Sequence, residues 1–109
     1  MYILIAIVQN EDISNLMNSL NTLGIGSTKI SSTGGFLRSG NATLLVALEK
    51  SRIDEVIETI KYTCKKRKKY VSSFLSTDDY TTAHINNFVE VEIGGASIFV
   101  IKLDDFIKL

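Results

Sequence analysis

The sequence has no proline, no tryptophan, one cysteine and one histidine among its 109 residues. A single cysteine cannot close an internal disulfide, which fits a reducing compartment. One Cys and one His also exclude a Cys/His zinc site built within one chain. Twelve acids balance twelve bases, so no net field draws the molecule to a nucleic acid polymer or an anionic membrane. No apolar run approaches the roughly 20 residues that span a bilayer. The first residues lack the charged start and cleavage site of a secretory signal, and the expectation is a cytoplasmic protein. Phosphate-loop motifs are missing too: no GxxxxGK[ST] occurs, and Gly24-Ile25-Gly26 lacks the third glycine and the following helix of a dinucleotide fingerprint.

What is present is an ordinary globular composition, 45% hydrophobic and 22% charged. The length allows one domain, residues 1–109, with a radius of gyration of roughly 13 Å. Residues 2–8 (YILIAIV) form a nearly unbroken apolar run, as in a strand covered on both faces. Over residues 11–23, Ile13, Leu16, Met17, Leu20 and Leu23 recur at spacings of three and four, which predicts an amphipathic helix stopped by Gly24 and Gly26. Residues 27–32 read as a polar strand and residues 42–48 (ATLLVAL) as a buried one. Ser51 and Asp54 resemble a capping box opening a second helix, with Ile53, Val56, Ile57, Ile60 and Cys64 on its inner face. The basic run 65–69 (KKRKK) is expected to close that helix against its dipole. Residues 70–75 fit a strand and residues 76–87 a loop. Phe88–Ile93 alternates apolar and acidic residues, and Gly94-Gly95 reads as a hairpin turn into residues 96–101.

This order predicts an α+β, ferredoxin-like βαββαβ sandwich with an extra C-terminal β-hairpin. Both faces of the first strand are apolar while the helices cover one, so the other face is expected against a second subunit.

Catalytic constellations are absent from the motifs. His84 has no nucleophile placed beside it, Cys64 sits on an apolar helix face, and the pairs Asp78-Asp79 and Asp104-Asp105 diverge as sequence neighbours. The run 65–69 lacks the interleaved aromatics of a nucleic-acid patch and reads as a solvated helix end. Most informative is residues 33–41 (TGGFLRSGN), with three glycines around Phe36 and Leu37. Such a loop either packs on a neighbouring subunit, or lets its backbone approach a phosphorylated purine while Phe36 and Leu37 offer a surface to the base. Arg38 and Lys29 would add charge, and Thr28 and Asn41 hydrogen bonds.

IAIVQ (5–9), TKISSTGGFLRSGN (28–41) and VEVEIGGASIFV (89–100) together closely resemble the PII-like cyclic-di-AMP receptor family of Gram-positive bacteria. The resemblance runs collinearly over almost the whole chain and is weakest in 65–87. It implies a non-enzymatic, cytosolic homotrimer that takes no cofactor and binds cyclic di-AMP in clefts between subunits. The loop 33–41 would correspond to the T-loop and 70–87 to the B-loop, whose rearrangement would signal to an unknown downstream protein. Thr28 and Asn41 would hydrogen-bond the adenine and nearby groups, with Ser27 beside them. The backbone at Gly35, Phe36 and Leu37 would cradle the ligand, and Phe99 would wall the cleft. Three positions depart from the family pattern: Gly26 stands for a frequent arginine, Ala47 for a glycine and Lys108 for a glutamine. The alternative these departures raise is a divergent trimeric interaction module that has lost cyclic di-AMP. A PII-type sensor of ATP and 2-oxoglutarate is disfavoured by the loop sequence.

Overall fold

A computed structural model describes residues 1–30, 40–72 and 88–109. Within them, β1 (Tyr2–Gln9) leads into α1 (Asn10–Thr22), followed by β2 (Thr28–Ile30) and β3 (Asn41–Leu48). A short 3-10 turn (Lys50–Arg52) then opens α2 (Ile53–Thr63), and β4 (Arg67–Ser72), β5 (Phe88–Ile93) and β6 (Ala96–Lys102) complete the order.

Four strands make one antiparallel sheet in the order β2-β3-β1-β6. This is the ferredoxin-like arrangement, with β6 as the fourth sandwich strand. One period-two face of the sheet carries Leu4, Ala6 and Val8 from β1, and Ala42, Leu44, Val46 and Leu48 from β3, all buried. The helices cover this face with Ile13, Leu16 and Leu20 from α1 and Val56 and Ile60 from α2, joined by Cys64 just beyond it. The helical periodicity of the sequence thus identified the core.

Helix α1 ends as its glycine predicts. Gly24 takes φ +75°, its N–H donates to Asn21 O at 2.9 Å, and the Ile25 N–H donates to Leu20 O at 2.9 Å. This paired bonding is the Schellman arrangement, completed by burial of Ile25. The expected capping box at Ser51 and Asp54 does not form: Arg52 is the N-cap of α2, and no side chain caps it. Arg52 instead reaches back, donating to Leu23 O at 2.8 Å and to Glu55 at 3.1 Å. It thereby ties the end of one helix to the start of the other.

Two further expectations are corrected. The basic run does not close α2, which stops at Thr63; Arg67, Lys68 and Lys69 lie in β4. The extra hairpin exists, but it joins β4 to β5 as a separate two-stranded sheet inserted before the last sandwich strand. Gly94 and Gly95 therefore carry the chain from one sheet to the other rather than turning β5 onto β6. Charge explains the choice of partner, because acidic β5 meets basic β4: Lys68 Nζ lies 3.1 Å from Glu90 Oε1, and the Tyr70 hydroxyl donates to Glu90 at 3.2 Å. With two strands outside the main sheet, the radius of gyration is 18.1 Å and the chain extends over 62 × 26 × 19 Å. The chain is elongated, not the compact body its length predicts.

Candidate functional site

The sheet face turned away from the helices is largely apolar and lacks a cover within the described residues. Register places Thr28 opposite Leu45, Leu45 opposite Ile5, and Ile5 opposite Phe99, one row across all four strands. Ala47, Ile3 and Ile101 form the row on one side. Ile30, Thr43, Ile7 and Ser97 form the row on the other, followed by Asn41 opposite Gln9. Phe99 is 41% exposed and Ile101 48% exposed, high values for side chains of that size in a sheet.

Of the residues singled out in the sequence, Thr28, Ala47 and Phe99 share this face. Gly26 and Ser27 lead into β2 next to Thr28, and Gly26 is open, with nothing within 4 Å of where a side chain would begin. Asn41 is on the same face but toward its other end. It is four residues along β3 from Thr28's partner Leu45, a separation of roughly 13 Å. Lys108 is exposed in the segment after β6, past the point where the Leu103 N–H donates to Met1 O at 3.1 Å. Gly35, Phe36 and Leu37 lie outside the described residues, as do His84, Asp78, Asp79, the loop 76–87 and most of the loop 33–41. Among the described residues, these positions are not gathered into a single pocket.

At the Asn41 end there is a cleft of about 340 Å³, lined by Asn41, Gln9, Lys66, Ser97 and the Gly94-Gly95 crossover among others. The Gly94 N–H donates to Gln9 Oε1 at 2.8 Å, and the Gly95 N–H to Cys64 O at 2.5 Å. Both glycines hold positive φ, and at Gly94 a Cβ would collide with the Lys65 carbonyl. The crossover is built for glycine, and it positions the cleft. Gln9, Lys66 and Ser97 were not marked out by the sequence. Lys66 was hidden in a run that looked uniformly solvated, and its placement depends on where α2 stops.

Ion pairs secure the same end. Asp12, in the first turn of α1, is 1% exposed and pairs with Arg67 at the base of β4, Oδ1 to Nη2 at 2.5 Å. The hydrogen bond to Asp12 raises the Arg67 guanidinium further above its already high range. Lys69 pairs with Glu11 at 3.2 Å. Most of the basic run is thus neutralised by acids of α1 and β5. Burial, with the Asp12 charge adding to it, pushes the Cys64 thiol up to about 11. Cys64 is therefore a protonated core residue at neutral pH. Among the described residues, no cluster of three His, Cys, Asp or Glu side chains is placed to hold a metal ion, and no helix is long and apolar enough to cross a membrane.

A four-stranded antiparallel sheet with two helices on one face and a two-stranded arm ahead of the last strand defines a PII-like protein. Arabidopsis thaliana PII, solved bound to citrate, superposes with a TM-score of 0.63 at 21% identity, covering 99% of this chain and 79% of that one. A functionally unknown protein from Pediococcus pentosaceus ATCC 25745 matches at 32% identity and a TM-score of 0.76, covering 99% of this chain and 96% of its own. The chain belongs to the cyclic-di-AMP receptor family, whose model matches residues 1–109.

Proposed function

We propose that this chain is a non-enzymatic receptor that binds cyclic di-AMP in clefts between the subunits of a homotrimer. Family membership supports the ligand. The observation that carries the intersubunit placement is the separation of Thr28, Ala47 and Phe99 from Asn41 along an apolar sheet face that the described residues leave largely uncovered. A second copy on that face would bury it and bring the two groups together across the interface. Gly26, Ser27, Thr28, Ala47 and Phe99 form one side of the site, Asn41 with the backbone of Gly35, Phe36 and Leu37 the other, and Lys108 reaches it from the terminal segment. Rearrangement of the loops 33–41 and 70–87 passes the signal to a protein partner.

Isothermal titration calorimetry with cyclic di-AMP, cyclic di-GMP and ATP tests this reading. The expected result is saturable binding of cyclic di-AMP alone at one ligand per subunit. No heat and no thermal stabilisation would instead favour the divergent interaction module, for which the open Gly26 and the methyl of Ala47 are the relevant departures.

A further inference from the structure

We propose that Lys66 and the cleft beside Gly94-Gly95 form an anion subsite that takes a phosphodiester group of the nucleotide; the identity of that nucleotide rests on the receptor reading above. The argument begins with the basic run. Arg67 is paired with Asp12, Lys68 with Glu90 and Lys69 with Glu11, while the Lys65 ammonium lies 5.7 Å from the centre of the Tyr62 ring. Lys66 alone of the five has no such partner among the described residues. It lies against the glycine crossover: a Cβ built on Gly95 would meet Lys66 Cε at 3.5 Å and Cγ at 3.8 Å. The stem of this exposed lysine runs alongside Gly95, which places its head at the cleft.

The other cleft walls suit an anion. Asn41 brings a carboxamide and Ser97 a hydroxyl, and among the described residues no carboxylate lines the space. Gln9 has its oxygen occupied by the Gly94 N–H, so what remains for a ligand is its NH2. The backbone N–H groups of Gly94 and Gly95 are both engaged within the protein, which leaves the side chains to hold the ligand. One ammonium, two amide donors and a hydroxyl facing about 340 Å³ of open space match a singly charged phosphodiester. The subsite adjoins Asn41, so one ligand can offer its base edge to Asn41 and its phosphate to Lys66.

Calorimetric titration of Lys66→Gln, Lys66→Arg and the unsubstituted protein with cyclic di-AMP at low and high salt provides the test. Lys66→Gln is expected to bind at least about tenfold more weakly, as for loss of one charge-assisted hydrogen bond, with a flatter salt dependence. Lys66→Arg is expected to retain most of the affinity. Unchanged binding by Lys66→Gln, with the parent binding well, overturns the subsite and leaves the receptor reading standing. A second arm follows the side-chain amide NMR signals of Asn41 and Gln9 during titration with pyrophosphate. If the parent ignores cyclic di-AMP, Lys66-dependent shifts with pyrophosphate sustain the anion subsite while the receptor reading falls. Absence of such shifts in that case removes both.

Discussion

Asn41 and Cys64 show how exposure decides what a polar side chain can do. Asn41 sits at the end of β3 in an open polar cleft, where its amide remains available to a ligand. Asn41→Ala should weaken cyclic di-AMP binding by about 1–3 kcal/mol, because the polar edge of the ligand is left unpaired; calorimetry reads this directly, and thermal stability should hardly change. Cys64 is 2% exposed, and its thiol is raised from an ordinary 9.0 to about 11. Ellman's reagent should therefore fail to label the folded protein at pH 8 and react fully once it is unfolded. The sign of the pH dependence follows from the same shift. The unfolded thiol ionises first, so the stability tied to the neutral thiol is complete below pH 9 and declines as the pH rises toward 11. The slope from this one group is at most about 1.4 kcal/mol per pH unit. Thermal melts from pH 8 to 11 should show a fall that is shallower in Cys64→Ala, though that variant is less stable throughout.

At the scale of elements, the crossover between β5 and β6 decides the architecture. Gly94 holds φ +95° with the Lys65 carbonyl directly behind it, so any side chain must both adopt a left-handed backbone and displace the peptide after α2. Gly94→Ala should cost at least about 1–2 kcal/mol, measured by urea unfolding. It should also disturb the cleft that Gly94 and Gln9 build together, whereas alanine at Gly24, which has positive φ but open space, should cost only the backbone strain. The elements themselves were largely legible. Three- and four-residue spacing placed α1 within a residue at each end and identified the inner face of α2, because burial of one helical face needs that period. The basic run, by contrast, misplaced where α2 ends. Alternation likewise placed β5 residue for residue. Pairing was not legible. A Gly-Gly between two alternating runs looks like a tight turn, yet the charges of β4 and β5 and the apolar faces of β6 sent the two strands to different sheets.

For the whole molecule, the outer sheet face, apolar and largely uncovered among the described residues, is the surface on which the proposed trimer would assemble. Leu45 lies at its centre, between Thr28 and Ile5 in register. Leu45→Glu places a charge on a surface that must lose its water on assembly, and a buried unpaired charge is strongly unfavourable. Light scattering should show the parent at three times the 12.1 kDa chain mass and the variant at one, with unchanged far-UV circular dichroism. Loss of cyclic di-AMP binding in that monomer would follow from a site shared between chains. Binding retained by a folded monomer would show that one chain holds the complete site.

By itself, the sequence determined most of the elements, the buried core and the family. Each of these is written in local pattern: helical period, strand alternation, and the collinear TGGFLRSGN and VEVEIGGASIFV blocks. Tertiary structure alone decided which strand closes the sandwich, that Thr28 and Asn41 stand apart, and that Lys66 is the member of its run facing a polar cleft. The physical reason is range. Periodicity reports which face of an element is buried, whereas strand partnership and cleft composition depend on contacts between residues such as Gly94 and Gln9, 85 positions apart, which no local pattern encodes.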